Sequence, residues 1–453
     1  MKTIDLRERL FALVNLSIVI FIVISIDISE YEINTNILLI YLSASNCFVQ
    51  IYFLGNRDIF SPQHIYPIIY TIIFSFCDFY PSPFYLTPTT RGRILVTGSL
   101  AFYLIGSSLF GVNKYELKSK HCHNVSEKLC IALRAKFLRH FLLFSYLLMV
   151  LGLAAWRIQC NFPLFESDVE NYRIAVRSNI RFYAIIFYCC LLAEIIPAWT
   201  LIYYIVKKNR NPVCWSILYN IPTFLTLFLW GDRGRVVDGI LIYTATYHYL
   251  RANISVARLF LGGFVVLFLV ALMGLMRAHT SGVEAQAYIL SRIAQEFNVN
   301  VSNLERIIQY FPDHKEYLKG MYTFYPLYTL LPGHQPSMPL LLKEWLDLKF
   351  QGGGMTPTII GSFYADYGLI CSFFGMFVVG YLSNYVYMKM YKNVFPTLAY
   401  PFFIVFSLEF IRNANVINYI LMFFCFLTIL MIRYSSIHSY ASHKMCAKLP
   451  AGY

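Results

Sequence analysis

The chain has 453 residues, of which 58% are apolar and 13% charged, with a formal net charge of +13. Soluble proteins of this size carry about 25% charged residues, so the composition excludes an ordinary soluble domain and points to a membrane bundle. The basic residues sit in loops between apolar runs, with no basic domain set apart from them, which argues against nucleic-acid binding.

Twelve apolar runs read as membrane spans, near 11–27, 37–54, 64–79, 94–112, 138–156, 182–205, 212–230, 236–250, 256–276, 366–388, 398–411 and 415–433. The first follows Lys2, Arg7 and Arg9 with no small-residue cleavage site, and reads as a retained helix. A short helix near 356–364 is expected ahead of the tenth span, after Gly352-Gly353-Gly354. With both termini in the cytoplasm, the inner segments are strongly basic. Their acids are Asp5, Glu8, Asp58, Glu116 and Glu127. Two long segments then face outward, 157–181 and 277–355, and a connection as long as the second is usually functional. The chain thus divides into an N-terminal bundle over 1–276, a large outer loop over 277–355 and a C-terminal bundle over 356–453.

Most of the eleven cysteines lie inside apolar runs, which argues against a disulfide framework. His121, Cys122, His123 and Cys130 match no standard zinc spacing. There is no P-loop, no dinucleotide fingerprint and no outer pair of acids suited to a divalent metal, so no cofactor and no metal are expected.

The informative charges are those the inside-positive pattern does not explain. Between two apolar runs, the stretch FLWGDRGRVVDG places Arg233 and Arg235 at the outer surface. Arg173, Arg177 and Arg181 lie in the first outer loop, Arg277 at the exit of the ninth span, Arg292 and Arg306 in the large loop, and Arg412 at the outer end of the eleventh span. A guanidinium is always charged, and its planar fork suits phosphate, so convergence of several would make an anion site. Asp168, Asp232, Asp238, Glu296 and Glu305 support the opposing reading, in which arginine–acid pairs simply hold the loops together.

Four stretches resemble the Wzy-type polymerases, membrane glycosyltransferases that polymerise O-antigen, common-antigen or capsule repeat units. They are WGDRGRVVDGILIY, LFESDVENYRIAVRS, the loop from EFNVNVSNLERII through YTFYPLYTLLPGHQPSMP, and GGGMTPTIIGSFYADYGLICSFFGMFVVG. The resemblance covers about 157–181 and 231–380. It implies an all-α integral membrane protein of about twelve helices with one large periplasmic loop, similar to GT-C-like bundle glycosyltransferases, in the bacterial inner membrane.

The implied substrate is an undecaprenyl-diphosphate-linked oligosaccharide. The implied partners are membrane lipid, a Wzz-type chain-length regulator and a Wzx-type flippase. Arg233 matches the family's G-x-R arginine and Arg235 follows it; Arg292 and Arg412 fall where relatives carry basic residues. With Arg277 and Arg173 they form the candidate diphosphate set. His334, a base or a phosphate hydrogen-bonder, joins Glu296 and Asp366 as the candidate catalytic groups. An O-antigen ligase, or a flippase or transporter of lipid-linked oligosaccharide, remains an alternative reading.

Overall fold

The computed structural model describes residues 35–53, 58–79, 85–109, 133–163, 166, 172, 180–209, 211–230, 233–251, 254–255, 257–259, 261–263, 298–328, 338–349, 355–390, 393–412 and 419–446. Among these residues the secondary structure is helical, with no strand. Two compact units emerge. Unit one takes residues 1–118, 282–389 and 406–419; unit two takes 119–281, 390–405 and 420–453.

In unit one, α1 (Thr35–Phe48) runs into a π-helical turn at Val49–Phe53, followed by α2 (Pro62–Phe79) and α3 (Thr90–Ser108). The large loop contributes α9 (298–310), α10 (Met321–Tyr328) and α11 (Met338–Trp345). The long α12 (Thr358–Met390) and the end of α13 (Val394–Arg412) complete the unit. Unit two is built on α4 (Ala135–Gln159), α5 (Tyr183–Val206), α6 (Pro212–Tyr219), α7 (Ile221–Leu229) and α8 (Arg233–Leu250). It also holds the first part of α13 and most of α14 (Tyr419–Cys446).

Three of the described helices, α4, α5 and α12, are long and apolar enough to cross a membrane. A fourth crossing arises if α6 and α7 form one broken span, bent by 42°. The unbroken run expected over 212–230 therefore carries a break, and its cause is local. Pro222 has no amide to donate back along the helix. Asn220 holds the junction: its side chain donates to the Ser216 carbonyl and accepts from the Tyr146 hydroxyl at 2.7 Å and the Thr200 hydroxyl at 3.4 Å. The span expected at 256–276 lies almost entirely outside the described residues.

The expected short helix near 356–364 and the tenth span join as α12, separated by a break at Gly368, where φ is +78°. A side chain there would be strained, and its Cβ would sit 2.8 Å from the Tyr317 hydroxyl. Along α3 and α12 the backbones come into direct contact. A Cβ on Gly106 would collide with the Phe377 carbonyl, and one on Gly380 with the Tyr103 carbonyl. Close approach at small residues is how helices pack where lipid offers no hydrophobic drive between them. Beside these contacts the rings of Phe102 and Phe373 stack with centroids 5.0 Å apart.

Candidate functional site

In unit one, α9 is stitched to two distant parts of the chain. The Ser302 hydroxyl accepts from the Leu86 amide at 3.2 Å, and the Asn303 side chain donates to the Thr356 carbonyl at 3.0 Å. Thr356 belongs to the Thr-Pro-Thr element, whose Thr358 hydroxyl accepts from the Gly361 amide as α12 begins. Between these stitches lies Glu305, 1% exposed. One of its oxygens accepts from the Thr89 hydroxyl at 2.9 Å, and that hydroxyl in turn caps α3 by accepting from the Gly92 amide at 3.1 Å. The other oxygen fills the space a Cβ on Gly92 would need. Glycine between Arg91 and Arg93 therefore lets the buried carboxylate press against the first turn of α3. Burial pushes the Glu305 carboxyl up to about 7, against the lowering effect of Thr89 and of the Arg93 charge.

Arg91 is exposed and hydrogen-bonds the hydroxyl of Tyr364, which is 2% exposed. Tyr364 is held in turn by a hydrogen bond to Tyr317 and by an edge-on ring contact with it, centroids 6.0 Å apart. The start of α3, α9 and the first part of α12 thus meet around a basic, tyrosine-rich cluster. Neither Arg91 nor Arg93 belongs to the candidate set drawn from the sequence. The available signal was their position: two arginines at the start of an expected span, on the side that the expected topology puts outside, where basic residues are disfavoured.

Asp366 lies on α12 and is 1% exposed. Its carboxylate accepts from the Tyr322 amide at 2.8 Å, the Thr323 amide at 2.9 Å and the Thr323 hydroxyl at 2.5 Å. Nearby, the Leu318 and Lys319 amides donate to the Ala365 and Asp366 carbonyls. This geometry belongs to a clamp that starts α10 and ties it to α12. Asp366→Ala removes an acceptor shared by three donors and should lower stability by about 2 kcal/mol, read as thermal unfolding of the purified protein. Asp366→Asn keeps one acceptor and should cost less. A normally folded Asn variant with no polymerising activity would instead identify the carboxylate as a proton acceptor.

Unit two contains the buried acid the sequence reading passed over. Glu194 sits within the apolar α5 and is 1% exposed. Arg235, in the first turn of α8, approaches it at 3.4 Å and Asp238 at 3.8 Å. An ionisable group inside an apolar run was the signal. The same contacts pair Arg235 with acids of its own fold.

Arg233 and Arg412 are placed as the first residue of α8 and the last of α13, and their side chains lie outside the described part. Arg173, Arg277, Arg292, Glu296 and His334 lie outside the described residues, as does the cluster of His121, Cys122, His123 and Cys130. The expected convergence of Arg233, Arg292 and Arg412 accordingly falls there too.

A family model described as "Putative O-antigen polymerase" matches residues 9–411. The chain belongs to the O-antigen polymerase family. No curated protein and no solved structure matches it. Membership carries with it a multi-pass membrane protein with a polymerase role in O-antigen synthesis, glycosyltransferase-like in its chemistry and acting on lipid-linked oligosaccharide.

Proposed function

We propose that the protein polymerises undecaprenyl-diphosphate-linked oligosaccharide repeat units on the periplasmic face of the bacterial inner membrane. About twelve spans with both termini in the cytoplasm would hold the large loop on that face. The observation that carries this reading is the family match over 9–411 of a chain rich in apolar helices. Arginines that the expected topology puts on the outer side support the choice of a diphosphate leaving group.

In the reaction, a sugar hydroxyl of the incoming unit attacks the anomeric carbon at the reducing end of the growing chain. The new glycosidic C–O bond forms as the bond from that carbon to the lipid diphosphate breaks. Both bonding electrons leave with undecaprenyl diphosphate, and the hydroxyl proton passes to a base. Arg233, Arg235, Arg292, Arg412, Arg277 and Arg173 are our candidates to stabilise the charge growing on the diphosphate. His334 and Glu296 are our candidates for the base, with Asp366 a weaker one because its oxygens already accept three hydrogen bonds. A Wzx-type flippase would supply the lipid-linked unit and a Wzz-type regulator would set the chain length.

Deletion in the host followed by complementation tests the reading. The deletion should leave single repeat units on the lipid A core, and the intact gene should restore a polymer ladder. Arg233→Ala, returned at matched protein level, should fail to restore the ladder. Finished polymer stranded on its lipid carrier would instead mean a ligase, and repeat units trapped on the cytoplasmic face a flippase.

A further inference from the structure

We propose that the turn Thr89–Arg93 is an anion-binding element for the diphosphate of a lipid-linked substrate, in which Arg91 touches the phosphate oxygens and Glu305 and Tyr364 position the turn. The proposal rests on the periplasmic, lipid-diphosphate reading given above. It is carried by side chains and not by the helix end alone. Arg91 is exposed, and its guanidinium hydrogen-bonds the hydroxyl of the buried Tyr364 with part of its donor fork, which limits its freedom and lowers the entropy lost on binding. Two residues on, Arg93 places a second guanidinium charge near the Glu305 carboxyl. Gly92 removes the side chain that would keep that carboxyl away. The Thr89 hydroxyl links carboxylate and helix start into one unit. The buried Glu305 offsets part of the Arg93 charge, while Arg91, held by Tyr364 and not by the acid, faces solvent.

The arrangement carries a pH signature. Glu305 titrates near 7, and Arg93 is the charge acting on it, with the uncharged Thr89 its other partner. Below that pH the carboxyl is neutral and no longer offsets Arg93, so affinity for an anion rises as pH falls through about 7. Glu305→Gln imitates the neutral form at every pH and should make binding tight and flat with pH.

The test uses the full-length protein in zwitterionic nanodiscs, titrated separately with undecaprenyl diphosphate and with phosphatidylglycerol. Arg91→Ala should weaken binding of the diphosphate lipid about tenfold, the loss expected for one charge-assisted hydrogen-bonding group, and leave phosphatidylglycerol nearly unchanged. Arg91→Gln, which keeps a polar side chain without the charge, should weaken it similarly, and Tyr364→Phe should do so to a smaller degree. Unchanged affinity in both Arg91 variants overturns the proposal. An equal loss for both lipids also overturns it, because the arginine then acts only as surface charge towards bulk headgroups. Titration of Glu305→Gln that keeps the wild-type pH profile removes Glu305 from its assigned role. None of these outcomes depends on polymerisation, so a chain that fails the complementation test can still pass or fail this one.

Discussion

Arg235→Ala should destabilise the protein by about 3 kcal/mol, because it leaves Glu194 buried in an apolar helix without the cation that faces it. The value is at the low end for a broken buried pair, since the Arg235 side chain keeps 20% of its surface exposed. A double-mutant cycle separates the two roles open to this arginine. If Arg235 serves mainly to neutralise Glu194, then Glu194→Gln combined with Arg235→Gln should recover most of the lost stability, and polymer should return with the fold. If Arg235 is a diphosphate ligand, the single Arg235→Gln variant should fold and lose the ladder, and the added Glu194→Gln should not rescue it. Thermal unfolding in detergent and the polysaccharide ladder, measured on the same four proteins, decide between them.

Gly106→Ala is expected to be as damaging. The atom a new methyl would strike is the Phe377 backbone carbonyl, which cannot rotate aside as a side-chain tip can. Relief requires α3 and α12 to separate, which costs about 3 kcal/mol or more where backbones already touch. Gly380→Ala strikes the same interface from the other helix, at the Tyr103 carbonyl. Once either methyl has forced the helices apart, the second has less left to disturb. The double variant should therefore fall well short of the sum of the two. Gly98→Ala makes a useful contrast, because its obstacle is the ring of Phe373, a side chain with some room to move. It should cost less than either of the others. An additive Gly106/Gly380 pair would refute the shared-interface account.

Several of the described helices were legible in the apolar runs. α2, α4, α5 and α13 begin and end within about four residues of their expected spans, since hydropathy over a long window resists local error. The break between α6 and α7 is hidden from hydropathy because the run is apolar on average; Asn220 followed by Pro222 is the punctuation that marks it. Arg235 was singled out by its position, and Glu305 was named only as a pairing acid. Its partners stand more than two hundred residues away, at Thr89 and Arg93, and no periodicity in the chain links them. The resemblance pointed to 231–380, which contains α9 and the Thr-Pro-Thr element, but not to the start of α3 that completes the cluster. Asp366 illustrates the complementary limit: the residue type and its place were legible, whereas its three donors depend on how α10 folds back.

That fold-back has a consequence for motion. From Leu318 to Thr323 the chain is bound to α12 by two backbone hydrogen bonds and by the oxygens of Asp366, while the Tyr317 hydroxyl occupies the notch beside Gly368. A segment held this way cannot swing as a free flap over a bound sugar. The amide protons of Leu318, Lys319, Tyr322 and Thr323 should exchange with deuterium as slowly as those within α12 itself, and they should all become fast together when Asp366 is removed.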